Sequence, residues 1–127
     1  VVWIPSEKVL FAGDIFADCS LPMSLEGGKK WIKVMDYILD ELQPDIIVPG
    51  HGEVYDRTRA ESQREYFKSL IEQVEQNFTP TIKNDELLAK IDVSKYINHR
   101  PRLGWIMAVN GMAVNVNEYL SQVLANI

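Results

Sequence analysis

The chain has 127 residues, enough for one domain with its own core but too few for two. Its 13 Lys plus Arg are outnumbered by 18 Asp plus Glu, for a formal charge of -5. With no basic cluster, the electrostatic term that would hold nucleic acid or an anionic membrane surface is missing. No apolar run reaches the roughly 20 residues of a membrane-spanning helix. The single cysteine, Cys19, permits no intrachain disulfide and gives no argument for an oxidising compartment; the compartment is not legible in this sequence, the cytoplasm being only the default.

Val1 to Ile4 and Val9 to Ala12 are two apolar runs joined by Pro5-Ser6-Glu7-Lys8, a pattern that predicts a β-hairpin. The second strand runs into Gly13-Asp14 and so presents a carboxylate at a strand end. Ile15 to Met23 has mixed polarity with Pro22 near its end and reads as a loop. It holds Asp18 and Cys19, and Cys19 reads as a small, partly buried apolar residue in preference to a ligand. Ser24 fits an N-cap for a helix to about Leu42, with Trp31, Val34, Met35, Ile38, Leu39 and Leu42 at helical spacing. Gln43-Pro44 ends that helix. The β-branched run Ile46-Ile47-Val48 then predicts a strand buried on both faces, stopped by Pro49-Gly50. The whole is a strand, helix, strand crossover of the length a parallel connection requires.

His51, between two glycines, falls just past the carboxyl end of that strand, where open α/β sheets place ligand-binding groups. Read alone, it is as readily a turn histidine with no role. Asp14 at an equivalent strand end supplies the second signal: one hard oxygen and one imidazole nitrogen suit zinc, manganese or iron.

Thr58-Arg59-Ala60-Glu61 fits a capping box for a helix to about Asn77, with Phe67, Leu70, Ile71, Val74 and Phe78 on one face. Arg64, Glu65, Lys68, Glu72 and Glu75 read as its solvated face. Thr79-Pro80-Thr81 breaks the chain, and Asn84-Asp85-Glu86 opens a short helix to about Ile91. Asp92 to Arg102 is irregular and contains His99, which reads as a surface or loop-packing residue. A final apolar helix runs from about Leu103 to Ala125. A coiled coil is one reading of it; packing on the sheet fits better because neighbouring positions such as Val109, Met112 and Val114 are also apolar. Trp3, Trp31 and Trp105 are expected in the core or along an exposed edge. The fold class is α/β (α+β): a hairpin, a strand-helix-strand unit, then three helices.

The succession Val-Trp-Ile-Pro-Ser-Glu-Lys-Val-Leu-Phe-Ala-Gly-Asp, a helix, then Ile-Ile-Val-Pro-Gly-His-Gly resembles the second half of a metallo-β-lactamase-fold hydrolase. The resemblance implies half of an αββα sandwich. In it Asp14 would bridge two metal ions, zinc first with iron or manganese as alternatives, and His51 would complete one ion's ligands. In the complete family a metal-bound hydroxide attacks an ester, thioester, amide or phosphodiester of a small-molecule substrate. The family's His-x-His-x-Asp-His motif has no counterpart here, because the only histidines are His51 and His99.

Residues 1–127 therefore read as the carboxy-terminal half of such a domain, opening in mid-strand at Val1-Val2-Trp3-Ile4. That half is expected to be inactive alone and to bind metal weakly. The competing reading is a non-catalytic folded module that pairs with another chain through its sheet. Either way an uncovered sheet would expose residues such as Val1, Trp3, Ile4, Leu10 and Phe11, and a homodimer is the simplest cover.

Overall fold

The computed structural model describes residues 1–17, 25–79, 81–83, 86–87, 89–92 and 95. Within them the fold is α+β, a four-stranded mixed sheet with helices against one face. Strands β1 (Val2–Ile4) and β2 (Val9–Gly13) form the hairpin, with Trp3 opposite Leu10. The turn between them closes through Lys8 N–H donating to the Pro5 carbonyl at 3.3 Å, with Lys8 in the left-handed region at φ 50. Helix α1 (Leu25–Asp36) passes into a π-helical segment, Tyr37–Leu42. Its last bond runs from Gln43 N–H to the Ile38 carbonyl at 3.0 Å, and Gln43 turns left-handed at φ 53. Pro44 has no N–H with which to continue a helix. The chain re-enters the sheet at once, with the Asp45 and Ile46 amides both donating to the Lys8 carbonyl at 2.9 and 3.2 Å.

Strand β3 (Ile46–Pro49) lies parallel to β2, as the crossover requires. A two-residue strand that the sequence did not announce, β4 (Tyr55–Asp56), adds antiparallel to β3. Helix α2 (Arg57–Asn77) follows without a break. Its N-cap is Asp56, whose carboxylate accepts from the Arg59 amide at 2.9 Å. The cap thus lies two residues before the expected Thr58, because the helix starts directly from the end of β4. An N-cap carboxylate satisfies a helix-end N–H that would otherwise lack a partner.

The core lies between the sheet and the two helices. Leu10, Ala12, Ile47 and Tyr55 point inward from the strands; Met35, Ile38 and Leu39 come from the first helical unit, and Ala60, Tyr66, Phe67, Leu70, Ile71 and Val74 from α2. Leu87 is buried with them. Phe67 meets Trp31 edge to face at 5.4 Å between ring centres. Leu10 is therefore core, contrary to its expected exposure, and Trp3, its register partner, is half-buried on the same face. Strand alternation puts every second residue on the other side. Val2, Ile4, Phe11 and Ile46 stand exposed there, so β3 is buried on one face and not on two.

On the charged side of α2, Glu65, Glu72 and Glu75 are exposed as expected, but Arg64 is not. The Arg64 side chain is 13% exposed and reaches Asp40 at 3.0 Å and Asp36 at 3.2 Å, tying α2 to the first helical unit. Lys68 adds a contact to Asp36 at 3.0 Å, and Lys29 pairs with Glu75. Burial alone would lower the Arg64 pKa, but its hydrogen bond to Asp40 and the charges of Asp40, Asp36 and Glu65 raise it above the ordinary arginine value. Asp18, Cys19, Ser24, His99, Trp105 and the expected final helix lie outside the described residues. No helix among the described residues is long and apolar enough to cross a membrane.

Candidate functional site

Asp14 and His51, 37 residues apart in sequence, meet where β2 and β3 end side by side. The Asp14 Oδ1 to His51 Nδ1 distance is 2.9 Å, and the side chains are 70% and 58% exposed. Parallel pairing explains the meeting. Phe11 faces Val48 and Gly13 faces Pro49, so both strands stop at the same level of the sheet. Between those two pairs β2 carries one extra residue, Ala12, a bulge of the kind that re-aims the side chains beyond it. The Gly50 amide then donates to the Gly13 carbonyl at 2.8 Å and closes the two strand ends together.

Two glycines make this approach feasible. Gly13 adopts φ 53, a left-handed conformation that side chains with a Cβ disfavour. Gly50 answers a different need. A Cβ there would lie 2.9 Å from the Gly13 carbonyl carbon and would overlap the Asp14 carboxylate. The carboxylate can swing away, whereas the backbone carbon cannot. Gly50→Ala is accordingly expected to destabilise the chain by about 1–3 kcal/mol, as overpacking does, and to part the two side chains. Chemical denaturation and the His51 ring resonances check both effects, and a variant matching the wild-type chain in both would contradict the close approach.

The loop that leaves Asp14 is pinned at three points. The Trp31 indole N–H donates to the Ile15 carbonyl at 2.9 Å, the Gln63 side-chain amide donates to the Ala17 carbonyl at 2.9 Å, and Phe16 between them is fully buried. Gln63 also accepts from the Tyr55 hydroxyl at 3.1 Å, while Arg59 lies 5.0 Å from the centre of the Tyr55 ring. One buried amide thus links β4, α2 and the Asp14 loop. An amide with both ends engaged stabilises such a junction, because losing it would strand buried polar groups. Sequence reasoning assigned Gln63 nothing. Its signal was position: it falls four residues before Phe67 and seven before Leu70, on the apolar stripe of the helix, where a polar residue needs a partner.

Chemically, the pair can act in two ways. A cation entering between the side chains would take an oxygen from Asp14 and a nitrogen from His51 as its first two ligands. With the carboxylate left on Nδ1, the imidazole is instead held in one orientation and offers Nε2 outward, as ligand-orienting carboxylates do in metal sites. Both donors suit zinc, manganese or iron. Among the described residues no cluster of three or more His, Cys, Asp or Glu could hold a metal ion, so the pair itself is the candidate site. Neither a family model, a curated protein nor a solved structure matches the chain.

Proposed function

We propose that this chain is the carboxy-terminal half of a metal-dependent hydrolase of the metallo-β-lactamase type, in which Asp14 and His51 are two of the metal ligands. The observation that carries this reading is the 2.9 Å approach of a carboxylate and an imidazole at adjoining strand ends. The ends of two central, paired strands joined by the Gly50 to Gly13 hydrogen bond are a stiff place to hold ligands, and stiffness is what a two-metal hydrolase needs from its protein. When bound, the metal ions supply a nucleophile at neutral pH by lowering the pKa of water, for attack on an ester, thioester, amide or phosphodiester of a small-molecule substrate. Asp14, with two oxygens on a short side chain, suits a bridging position. His51 gives a single directed lone pair.

Two ligands do not make a catalytic site, which takes three protein ligands or more around each zinc. The remaining ligands would come from a preceding half with its own sheet, packed on the open face of this one. The chain alone is accordingly inactive and a weak metal binder in this reading. The competing role, a non-catalytic module that pairs through its sheet, rests on that same open face. Reading the gene upstream of Val1 separates the two. An open reading frame that carries His-x-His-x-Asp-His is the result expected for a hydrolase. A start codon close to Val1 with no such motif before it would instead leave the module.

A further inference from the structure

We propose that the face of the sheet turned away from the helices is a self-association surface, and that in the 127-residue chain a second copy covers it by packing sheet against sheet about a two-fold axis. The inference rests on the open face and not on the metal reading, so loss of either leaves the other standing. Strand register arranges that face in two rows. Val2, Phe11 and Val48 form one; Ile4, Val9 and Ile46 form the other, with Asp56 at its end on β4. All six interior positions are apolar and five are β-branched. Val2 is 61% exposed, Phe11 45%, Ile46 43% and Ile4 37%, with Val1 at 71% beside them. Among the described residues, Asp56 closes the second row on β4, and the exposed Lys8 and Asp45 side chains pair at 3.6 Å beside the start of β2 and β3.

Size suits a second copy. At these exposures the patch amounts to about 400–500 Å², at the upper end of what a soluble monomer leaves uncovered. Two such patches face to face, with the polar margin that surrounds any interface core, reach about 1,000 Å² in total, the threshold for a specific association. Shape agrees with size. Two sheets pack about 10 Å apart with their strands about 30° from parallel, and rows of β-branched side chains interdigitate in that arrangement. A two-fold axis sets the same rows on both partners, so no second complementary surface is required.

Sedimentation velocity on the full chain from about 1 to 500 μM tests this, with a Val2→Lys/Phe11→Lys double variant alongside. Both replaced side chains face solvent in the single chain, so the variant is expected to keep the wild-type circular dichroism spectrum and to associate at least tenfold more weakly. Carbene footprinting of the wild-type chain at the two ends of that range supplies a second measurement that needs no variant. Val2 and Phe11 are expected to label at low concentration and to be protected at high concentration. A wild-type monomer at 500 μM would overturn the proposal, and so would a double variant that dimerises as well as wild type. Protection of Val2 and Phe11 that is the same at both concentrations would also overturn it, and would assign the cover to the chain's own remaining residues.

Discussion

In the full-length hydrolase proposed above, Asp14→Ala and His51→Ala are each expected to cut metal-dependent turnover by about 100-fold or more. Changes to groups that merely orient a ligand lower metal affinity or activity about 10–100-fold, so removal of a ligand belongs at or beyond the top of that range. Neither change should unfold the protein, since both side chains are more than half exposed and contribute nothing to the core. Activity and stability should therefore separate: turnover collapses while the unfolding midpoint stays near wild type. Added metal gives a further discrimination. A lost ligand weakens binding, so excess zinc or manganese should restore part of the turnover of the single variants but none in Asp14→Ala/His51→Ala. Steady-state kinetics at graded metal concentration reads both. Wild-type turnover in the two single variants would remove both residues from the chemistry.

Phe67→Ala has the opposite signature and the largest expected effect on stability, a loss of about 3–5 kcal/mol. Phe67 is fully buried where α2 meets the sheet, with Trp31 against one edge of its ring at 5.4 Å and Tyr66 at 5.8 Å. Truncation removes the apolar transfer term, the aromatic contacts and the packing around the resulting void. Trp31 also anchors the Asp14 loop through the Ile15 carbonyl, so the void lies one contact from the site. Against the total of about 5–15 kcal/mol typical of a domain, such a loss leaves a large unfolded fraction. Urea denaturation followed by tryptophan fluorescence measures it; a loss below about 1 kcal/mol would mean the core does not close on Phe67.

The hairpin, the strand-helix-strand crossover and the position of His51 past a strand end were all legible in the sequence, since each rests on a local pattern. What the sequence could not assign was sidedness. Val-Trp-Ile, Val-Leu-Phe-Ala and Ile-Ile-Val are apolar at consecutive positions, and a strand with no polar alternation does not say which face meets the helices. Leu10 went inward and Phe11 outward because the described helices lie against the Leu10 side of the sheet. The same absence of alternation has a physical meaning, since such strands suit cover on both faces. That is what gives the open rows of Val2, Phe11 and Ile46 their significance.

The start of α2 was misplaced for a related reason. Asp56 and Thr58 are both competent caps, and the choice between them was made by Tyr55–Asp56 pairing with β3, a two-residue strand too short to leave a pattern. Arg64 was read as solvated because its partners, Asp36 and Asp40, are remote in sequence. The Asp14 and His51 pair was nominated by strand ends and by the family resemblance of the two motifs. Its 2.9 Å contact depended on the absence of a Cβ at Gly50, which the sequence shows, and on the register of β2 with β3, which one chain of letters does not give.

The most direct measurement of the Asp14 and His51 assignment is a zinc titration of the full chain observed through the imidazole resonances of its two histidines. His51 is expected to shift in a saturable way at weak, millimolar-range affinity, with the bound ion lost on dialysis against a mild chelator, and Asp14→Ala should weaken that shift. His51 resonances that stay still at millimolar zinc, or that respond identically in Asp14→Ala, would contradict a shared metal site at the ends of β2 and β3.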